Sequence, residues 1–135
     1  MVVVGWESEG DLLGSLIGMG SKKRATQQDI WRELRAQAFV GICDCDWMQK
    51  NYDVAATNCQ KALTLTPTDL FANYRLGLVM AEQYNRAGSI GLLEDARKYF
   101  NAVIAINPQT DEAARSRKYL ANIDSVLAQA NVKQP

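Results

Sequence analysis

The side chains of this 135-residue sequence best suited to chemistry are its three cysteines, Cys43, Cys45 and Cys59. Cysteine thiolates bind zinc, but a structural zinc site needs more ligands than these three, at spacings such as C-x2-C, and the chain has no histidine to complete the set. An odd number of cysteines also leaves at least one thiol unpaired in a monomer, unlike a disulfide framework. We therefore expect no metal and no cofactor, and we interpret Cys43 and Cys59 as small packing residues.

Catalysis has no support in the sequence. The absence of histidine removes the commonest general base, and there is neither a glycine-rich phosphate loop nor a nucleophile elbow. Two acidic pairs, Asp44 with Asp46 and Glu94 with Asp95, lie one or two residues apart, where helical side chains do not share a face. We predict that the protein is not an enzyme and has no catalytic residues.

The composition argues against two kinds of partner, nucleic acid and the membrane. Fifteen Lys and Arg residues balance fifteen Asp and Glu residues, so the net charge is 0 and no positive field attracts nucleic acid. A hydrophobic fraction of 47% with 22% charged residues is typical of a single soluble domain. The apolar stretch from Leu12 to Met19 is too short and too glycine-rich for a signal peptide or a membrane span. We expect no nucleic-acid partner, no membrane insertion and, by default, a cytoplasmic location.

Apolar residues at spacings of three and four predict helices along most of the chain. Thr26-Gln27-Gln28-Asp29 has the form of a capping box, so a long first helix should begin there. Further helices should end before Pro67, at about Tyr84, before Pro108 and at about Gln129. No segment shows sustained alternation with period two, so the predicted fold class is all-α.

The sequence contains an internal repeat. At an offset of 41 residues, Ala55, Cys59, Leu63, Leu65 and Pro67 fall on Ala96, Phe100, Ile104, Ile106 and Pro108. In the preceding helices the offset is 34, so that Ala38, Ile42 and Cys43 fall on Ala72, Leu76 and Gly77. The second unit therefore carries seven extra residues, which we expect to protrude as a flexible loop around Arg86 to Gly91.

These residues resemble the tetratricopeptide repeat family, in which helix-turn-helix units recur every 34 residues. Asn51 to Ala55 and Gln60 to Pro67 resemble the family's second helix, and Tyr74-Arg75-Leu76-Gly77 resembles its first helix. The resemblance implies a right-handed α-solenoid of two helix-turn-helix repeats with an extended first helix and a C-terminal capping helix. The sequence thereby divides into an N-terminal segment, which is a linker or a packing arm (1–25), a repeat domain (26–129) and a C-terminal tail (130–135). Within the repeat domain the resemblance places repeat one at about 36–69, repeat two at about 70–110 and the capping helix at about 111–129.

The sequence departs from the family pattern at a few packing positions. Cys43 replaces the family's small glycine, Cys59 replaces its aromatic residue, and Asp46 and Met80 replace its tyrosine. We expect these changes to alter local packing and to leave the fold intact.

The resemblance also implies a peptide-binding groove lined by the first helix of each unit. The groove positions carried over from the family are Gln37, Val40, Asp44, Trp47, Phe71, Tyr74, Arg75 and Leu78, extended on the last helix by Arg115 and Tyr119. For Val40, Trp47 and Leu78, the alternative is that they pack under the N-terminal segment or between helices. We expect Asp44, Tyr74 and Arg75 to be exposed, with an arginine able to hold a partner's carboxylate in two bonds.

The favoured function is a non-enzymatic adaptor that binds a segment of another protein in this groove. Val40 and Asp44 stand where one branch of the family carries the Lys and Asn that grip chaperone tails, so an internal, basic and apolar segment is the better ligand. The alternative is a structural or oligomerisation module, a fragment of a larger repeat protein that assembles as a homo-oligomer through its N-terminal segment and repeat ends.

Overall fold

The computed structural model describes residues 26–133, and within this range all regular structure is helical. The five helices are α1 (Gln27–Met48), α2 (Tyr52–Leu65), α3 (Leu70–Ala87), α4 (Ile90–Ile106) and α5 (Asp111–Lys133). The predicted all-α class is confirmed. The predicted N-terminal segment lies outside the described residues. Helix α5 continues through residues 130–133, which the sequence assigned to a tail.

The described residues fall into two parts that divide after Trp31. Residues 26–31 hold the start of α1, where the predicted capping box forms. The backbone N–H of Asp29 donates to Thr26 Oγ1 at 3.1 Å, and the backbone N–H of Thr26 donates to Asp29 Oδ2 at 3.1 Å. Two otherwise unpaired amides are thereby satisfied, and the helix begins where the sequence predicts.

Residues 32–133 form the second part, in which α2 packs on α3, α3 on α4 and α4 on α5, and α3 also contacts α5. Connections of two to four residues turn the chain back on itself, so consecutive helices form hairpins. Helix α3 is the most buried element, with six buried residues against two in α1. One apolar cluster joins α1 and α2 to α3, and a second joins α3 to α4 and α5. Both clusters depend on α3.

The side chains that cap the starts of α3 and α5 are related by the same offset as the repeated apolar residues. Asp69 Oδ1 accepts a hydrogen bond from the backbone N–H of Ala72 at 2.9 Å, and Thr110 Oγ1 accepts one from that of Ala113 at 3.1 Å. The two capping residues are separated by the repeat offset of 41. Capping side chains of this kind each contribute roughly 1 kcal/mol to helix stability.

The seven extra residues of the second unit lengthen helices, and the predicted flexible loop around Arg86 to Gly91 is wrong. Helix α3 ends five residues later than Met48 plus the offset of 34, and α4 begins three residues earlier than Tyr52 plus 41. The connection itself is one residue shorter than that between α1 and α2. It turns at Gly88, whose φ of 73° lies in the left-handed region and whose N–H donates to the carbonyl of Tyr84 at 2.7 Å.

Helices α3 and α4 approach each other closely at Gly77. The ring of Phe100 is fully buried and lies over Gly77, so that a Cβ atom on Gly77 would stand 2.7 Å from Phe100 Cε1. Glycine is needed here because no other residue leaves room for the ring.

At the matching place between α1 and α2, Cys43 and Cys59 form a disulfide, so their interpretation as unpaired packing residues is wrong. The odd cysteine count is compatible with this bond, because the third cysteine, Cys45, is exposed and free. The two half-cystines have 0% exposure and Cα atoms 5.5 Å apart. They lie 34 and 41 residues before Gly77 and Phe100, so a covalent bond occupies the place that a glycine and an aromatic ring fill in the second hairpin.

Replacing Gly77 with alanine should destabilise the protein by about 1–3 kcal/mol, because the new methyl group overlaps a buried ring that cannot move freely. Gly41 is the matched control, since a Cβ atom there meets nothing within 4 Å. Gly41→Ala should stabilise α1 by about 0.5–1 kcal/mol through reduced backbone entropy. Urea unfolding followed by circular dichroism measures both values. Equal effects of the two substitutions would contradict the close approach.

Candidate functional site

A cavity of about 340 Å³ lies where α3 and α5 face each other beside the end of α1. Its walls are Trp47 from α1, Leu93 from α4, and two longer stretches of α3 and α5. The α3 wall contains Leu78, Ala81, Glu82, Tyr84 and Asn85, and the α5 wall contains Tyr119, Asn122, Ile123 and Val126. Three of the predicted groove residues, Trp47, Leu78 and Tyr119, therefore line one cavity.

Helical spacing explains how the two walls form. Leu78, Glu82 and Asn85 are separated by four and three residues, which places them on one side of α3. On α5, Tyr119, Asn122 and Val126 follow the same rule. The resulting surface is mainly apolar, and Glu82 is the one charged side chain among the described residues that line it.

Three aromatic rings, Tyr74, Phe100 and Tyr119, pack together next to the cavity. Tyr119 stacks on Phe100 with ring centroids 5.1 Å apart, and 37% of Tyr119 remains exposed. Tyr74 meets the same phenylalanine edge to face at 6.1 Å. One ring, Phe100, thus both fills the α3–α4 contact and carries the exposed face of Tyr119, which ties the shape of the cavity to the core.

Tyr74 is buried, with only 8% of its surface exposed, so its predicted exposure is wrong. Burial is the main cause that raises the pKa of its hydroxyl above 10.0, and the neighbouring Tyr119 adds to the rise. A hydrogen bond with Arg115 acts in the opposite direction. Tyr74 therefore belongs to the support of the site, and its ring is not available to a ligand.

Arg75 makes two contacts with α1. Its Nε donates to Asp44 Oδ1 at 2.7 Å, and its guanidinium lies over the ring of Trp47 with a separation of 5.4 Å. Asp44 thus supplies the carboxylate that the sequence assigns to a partner. The pair is partly exposed and contributes about 0.2–1 kcal/mol, but it sets the position of α1 against α3 at the edge of the cavity.

The remaining predicted groove residues do not line the cavity. Gln37 and Arg115 are exposed, Val40 is half-buried, and Phe71 is 59% exposed on the first turn of α3. Glu82, Asn85 and Asn122 do line it but were not among the predicted residues. The signal for them was present, because they follow Leu78 and Tyr119 by three to seven residues along the same helices.

A second cleft, of about 500 Å³, lies between the start of α2 and the end of α3. Four of its lining side chains contact one another in pairs. Gln83 Nε2 donates to Asp53 Oδ1 at 2.6 Å, and the guanidinium of Arg86 lies 4.6 Å from the ring centre of Tyr52. Tyr52 in turn meets Trp47 edge to face at 5.2 Å. These contacts attach the end of α1 and the start of α2 to α3.

No group of three or more metal-ligating side chains occurs among residues 26–133. Within the same range, no helix combines the length and apolar character needed to cross a membrane. Protein-family models give no match to this chain, and curated proteins give none either.

Tyr74 should make the protein less stable at high pH. The unfolded chain ionises this tyrosine near its ordinary pKa of 10.0, whereas the folded protein holds the proton to higher pH. The stabilisation is complete below pH 10 and is lost as the pH rises through the raised folded value. Urea unfolding at pH 8 and pH 10.5 should therefore show a smaller loss of stability in Tyr74→Phe than in the wild type. An identical loss in both proteins would show that Tyr74 ionises as freely as in the unfolded chain.

Proposed function

We propose that α1 to α4 form two tetratricopeptide repeats capped by α5, and that the cavity between α3 and α5 binds a segment of another protein. The fold part of the proposal is supported by agreement between sequence and structure at equivalent positions. The capping residues Asp69 and Thr110 correspond, and so do the close contacts Gly77–Phe100 and Cys43–Cys59. The contact of α3 with α5, across the intervening α4, is typical of stacked hairpins.

The cavity itself carries the functional part of the proposal. Its floor is apolar, with Leu78, Ile123 and Val126, and Trp47 forms one side. Aromatic and aliphatic side chains that surround a recess are the usual anchoring site for one or two apolar side chains of a partner. The amide of Asn122 offers donors and an acceptor for a partner's backbone. Asn85 Nδ2 donates to Glu82 Oε2 at 3.3 Å, and its carbonyl oxygen is a further acceptor.

The charges at the site indicate the kind of segment. Glu82 is the charged lining residue, whereas Arg75 is already paired with Asp44. A lysine or arginine beside the anchoring apolar residue would therefore meet an opposite charge, and a carboxylate there would be repelled. We infer that the partner contributes an apolar segment flanked by a basic residue, bound without covalent chemistry.

Peptide selection tests this proposal directly. A random twelve-residue display library selected on the wild-type protein should yield peptides that combine aliphatic or aromatic residues with Lys or Arg. In fluorescence anisotropy, Glu82→Lys should weaken the binding of such a peptide at least about tenfold, because like charges would face each other. Asn122→Arg, which adds bulk and charge to the rim, should weaken it as well.

Val54→Ser is the matched control, since Val54 is an exposed apolar residue on α2 that does not line the cavity. It should bind the selected peptide with unchanged affinity. Circular dichroism establishes that each variant is folded. Peptides that bind Glu82→Lys and Asn122→Arg as well as the wild type would exclude the cavity as the binding site.

One observation favours assembly as a second candidate. Leu34, Ala38 and Ile42 are exposed at intervals of four residues on α1, although this spacing is typical of a buried helix face. Only Ala36 and Cys43 of α1 are buried. A second copy of the chain that packed on this row would remove its apolar surface from water.

Light scattering coupled to size exclusion distinguishes the two candidates. Under the assembly hypothesis, the wild type should have a concentration-dependent mass above 15.0 kDa, and Leu34→Lys with Ile42→Lys should return it to that value. A wild-type mass of 15.0 kDa at every concentration would exclude assembly and leave the peptide-binding proposal as the sole candidate.

A further inference from the structure

The disulfide is the covalent attachment of α1 to α2, and it lies five residues before α1 ends at Met48. Other contacts of this part of α1 are non-covalent, such as the hydrogen bond that Asn58 Nδ2 donates to Asp46 Oδ2 at 2.8 Å. Helix α1 has 22 residues, of which Ala36 and Cys43 are buried, whereas α3 has six buried residues in 18. Cys43 packs with Ala55, Leu76 and Val79, which are small or medium-sized. The second hairpin has the ring of Phe100 at the equivalent place. Larger side chains such as Trp47, Tyr52 and Leu63 also pack against this cluster, but they are only partly buried. Hairpin one therefore has no fully buried ring at the place of the sulfur–sulfur bond.

The same bond lies beside the edge of the cavity. Cys43 is followed directly by Asp44, which pairs with Arg75, and one turn later by Trp47, which lines the cavity. A displacement of this part of α1 would separate the Asp44–Arg75 pair and withdraw the indole from the wall. The position of Trp47 thus depends on whether α1 is attached to α2.

We propose that the Cys43–Cys59 disulfide is a reducible lock that holds α1 against α2, and that its reduction releases α1 together with the Trp47 side of the cavity. The reductant is a dithiol. One of its thiolates attacks a sulfur atom of the disulfide and forms a mixed disulfide, and its second thiol then displaces the protein sulfur. Two electrons and two protons pass to Cys43 and Cys59, which become thiols, and the dithiol becomes a cyclic or internal disulfide.

Both sulfur atoms are buried, so the dithiol gains access when α1 opens locally. Sparse burial makes α1 the helix best suited to such opening. Cys45 does not take part, because it lies two residues from Cys43 and its exposed side chain points away from Cys59. Control of peptide binding by this lock rests on the proposed function of the cavity, whereas the lock itself does not.

Thiol counting on the full chain tests the bond. Protein purified without reductant and unfolded in guanidinium should have one thiol that reacts with an alkylating reagent, which peptide mapping places at Cys45. After treatment with dithiothreitol, all three cysteines should react. Three reactive thiols before reduction would overturn the proposal.

Hydrogen exchange then tests the release of α1. Reduction removes a cross-link that closes a loop of 16 residues, so the amides of residues 39–47 should exchange on the order of 100-fold faster. Amides of α4 should exchange at an unchanged rate. Reduced protein with the same protection in residues 39–47 as the oxidised protein would overturn the lock.

Two variants test whether the effect of dithiothreitol arises from the Cys43–Cys59 bond itself. Cys43→Gly with Cys59→Phe places the residues of the second hairpin in the first, so residues 39–47 should stay protected with and without dithiothreitol. Cys45→Ser should respond to dithiothreitol as the wild type does. The comparison of oxidised and reduced wild type decides the proposal even if the double variant does not fold.

The peptide assay separates the lock from the function of the cavity. If reduction opens α1 and weakens the selected peptide in parallel, the lock controls binding. If reduction opens α1 but no peptide binds either form, the lock stands and the proposed function fails.

Discussion

Each helical hairpin in this protein depends on one point where its two helices come unusually close. In the second hairpin Gly77 admits the ring of Phe100, and in the first the Cys43–Cys59 bond spans the equivalent space. The two solutions differ physically. A ring on a glycine holds helices together by excluding water and by close packing, whereas a disulfide holds them mainly by restricting the unfolded chain. Phe100 also carries Tyr119 and meets Tyr74, so the shape of the cavity follows from this contact.

Helix α3 connects the first hairpin (α1 and α2) with α4 and α5. It belongs to both apolar clusters, and its two arginines, Arg75 and Arg86, lie over Trp47 and Tyr52 at either side of the α1–α2 turn. One face of the helix therefore contacts the first hairpin while another lines the cavity with Leu78 and Glu82. Substitution of the buried residues of α3 should therefore change the packing of both hairpins, whereas the partly buried Glu82 on α3 and the exposed Asn122 on α5 lie on the wall of the cavity.

The helices could be predicted because their signals are local. Capping at Thr26, prolines after α2 and α4, and apolar spacing depend on residues a few positions apart, and each marks a boundary that the structure reproduces within a few residues. The Cys43–Cys59 bond and the Asp44–Arg75 pair join residues 16 and 31 positions apart, and which long-range partners meet depends on how the hairpins pack. The burial of Tyr74 has the same origin. Glu82 and Asn122, by contrast, follow Leu78 and Tyr119 by four and three residues, so helical spacing alone predicts that they share a face with them.

The extra residues of the second unit have a geometric consequence. Without them α3 would end near residue 82, and Tyr84 and Asn85 would not belong to the wall of the cavity. Five added helical residues extend a rigid surface by about 7.5 Å, roughly the length of two residues of an extended peptide. A loop of the same size would have added reach without a fixed shape. The added residues therefore lengthen the α3 wall of the cavity, and under the proposed function they increase the length of peptide that this wall can contact.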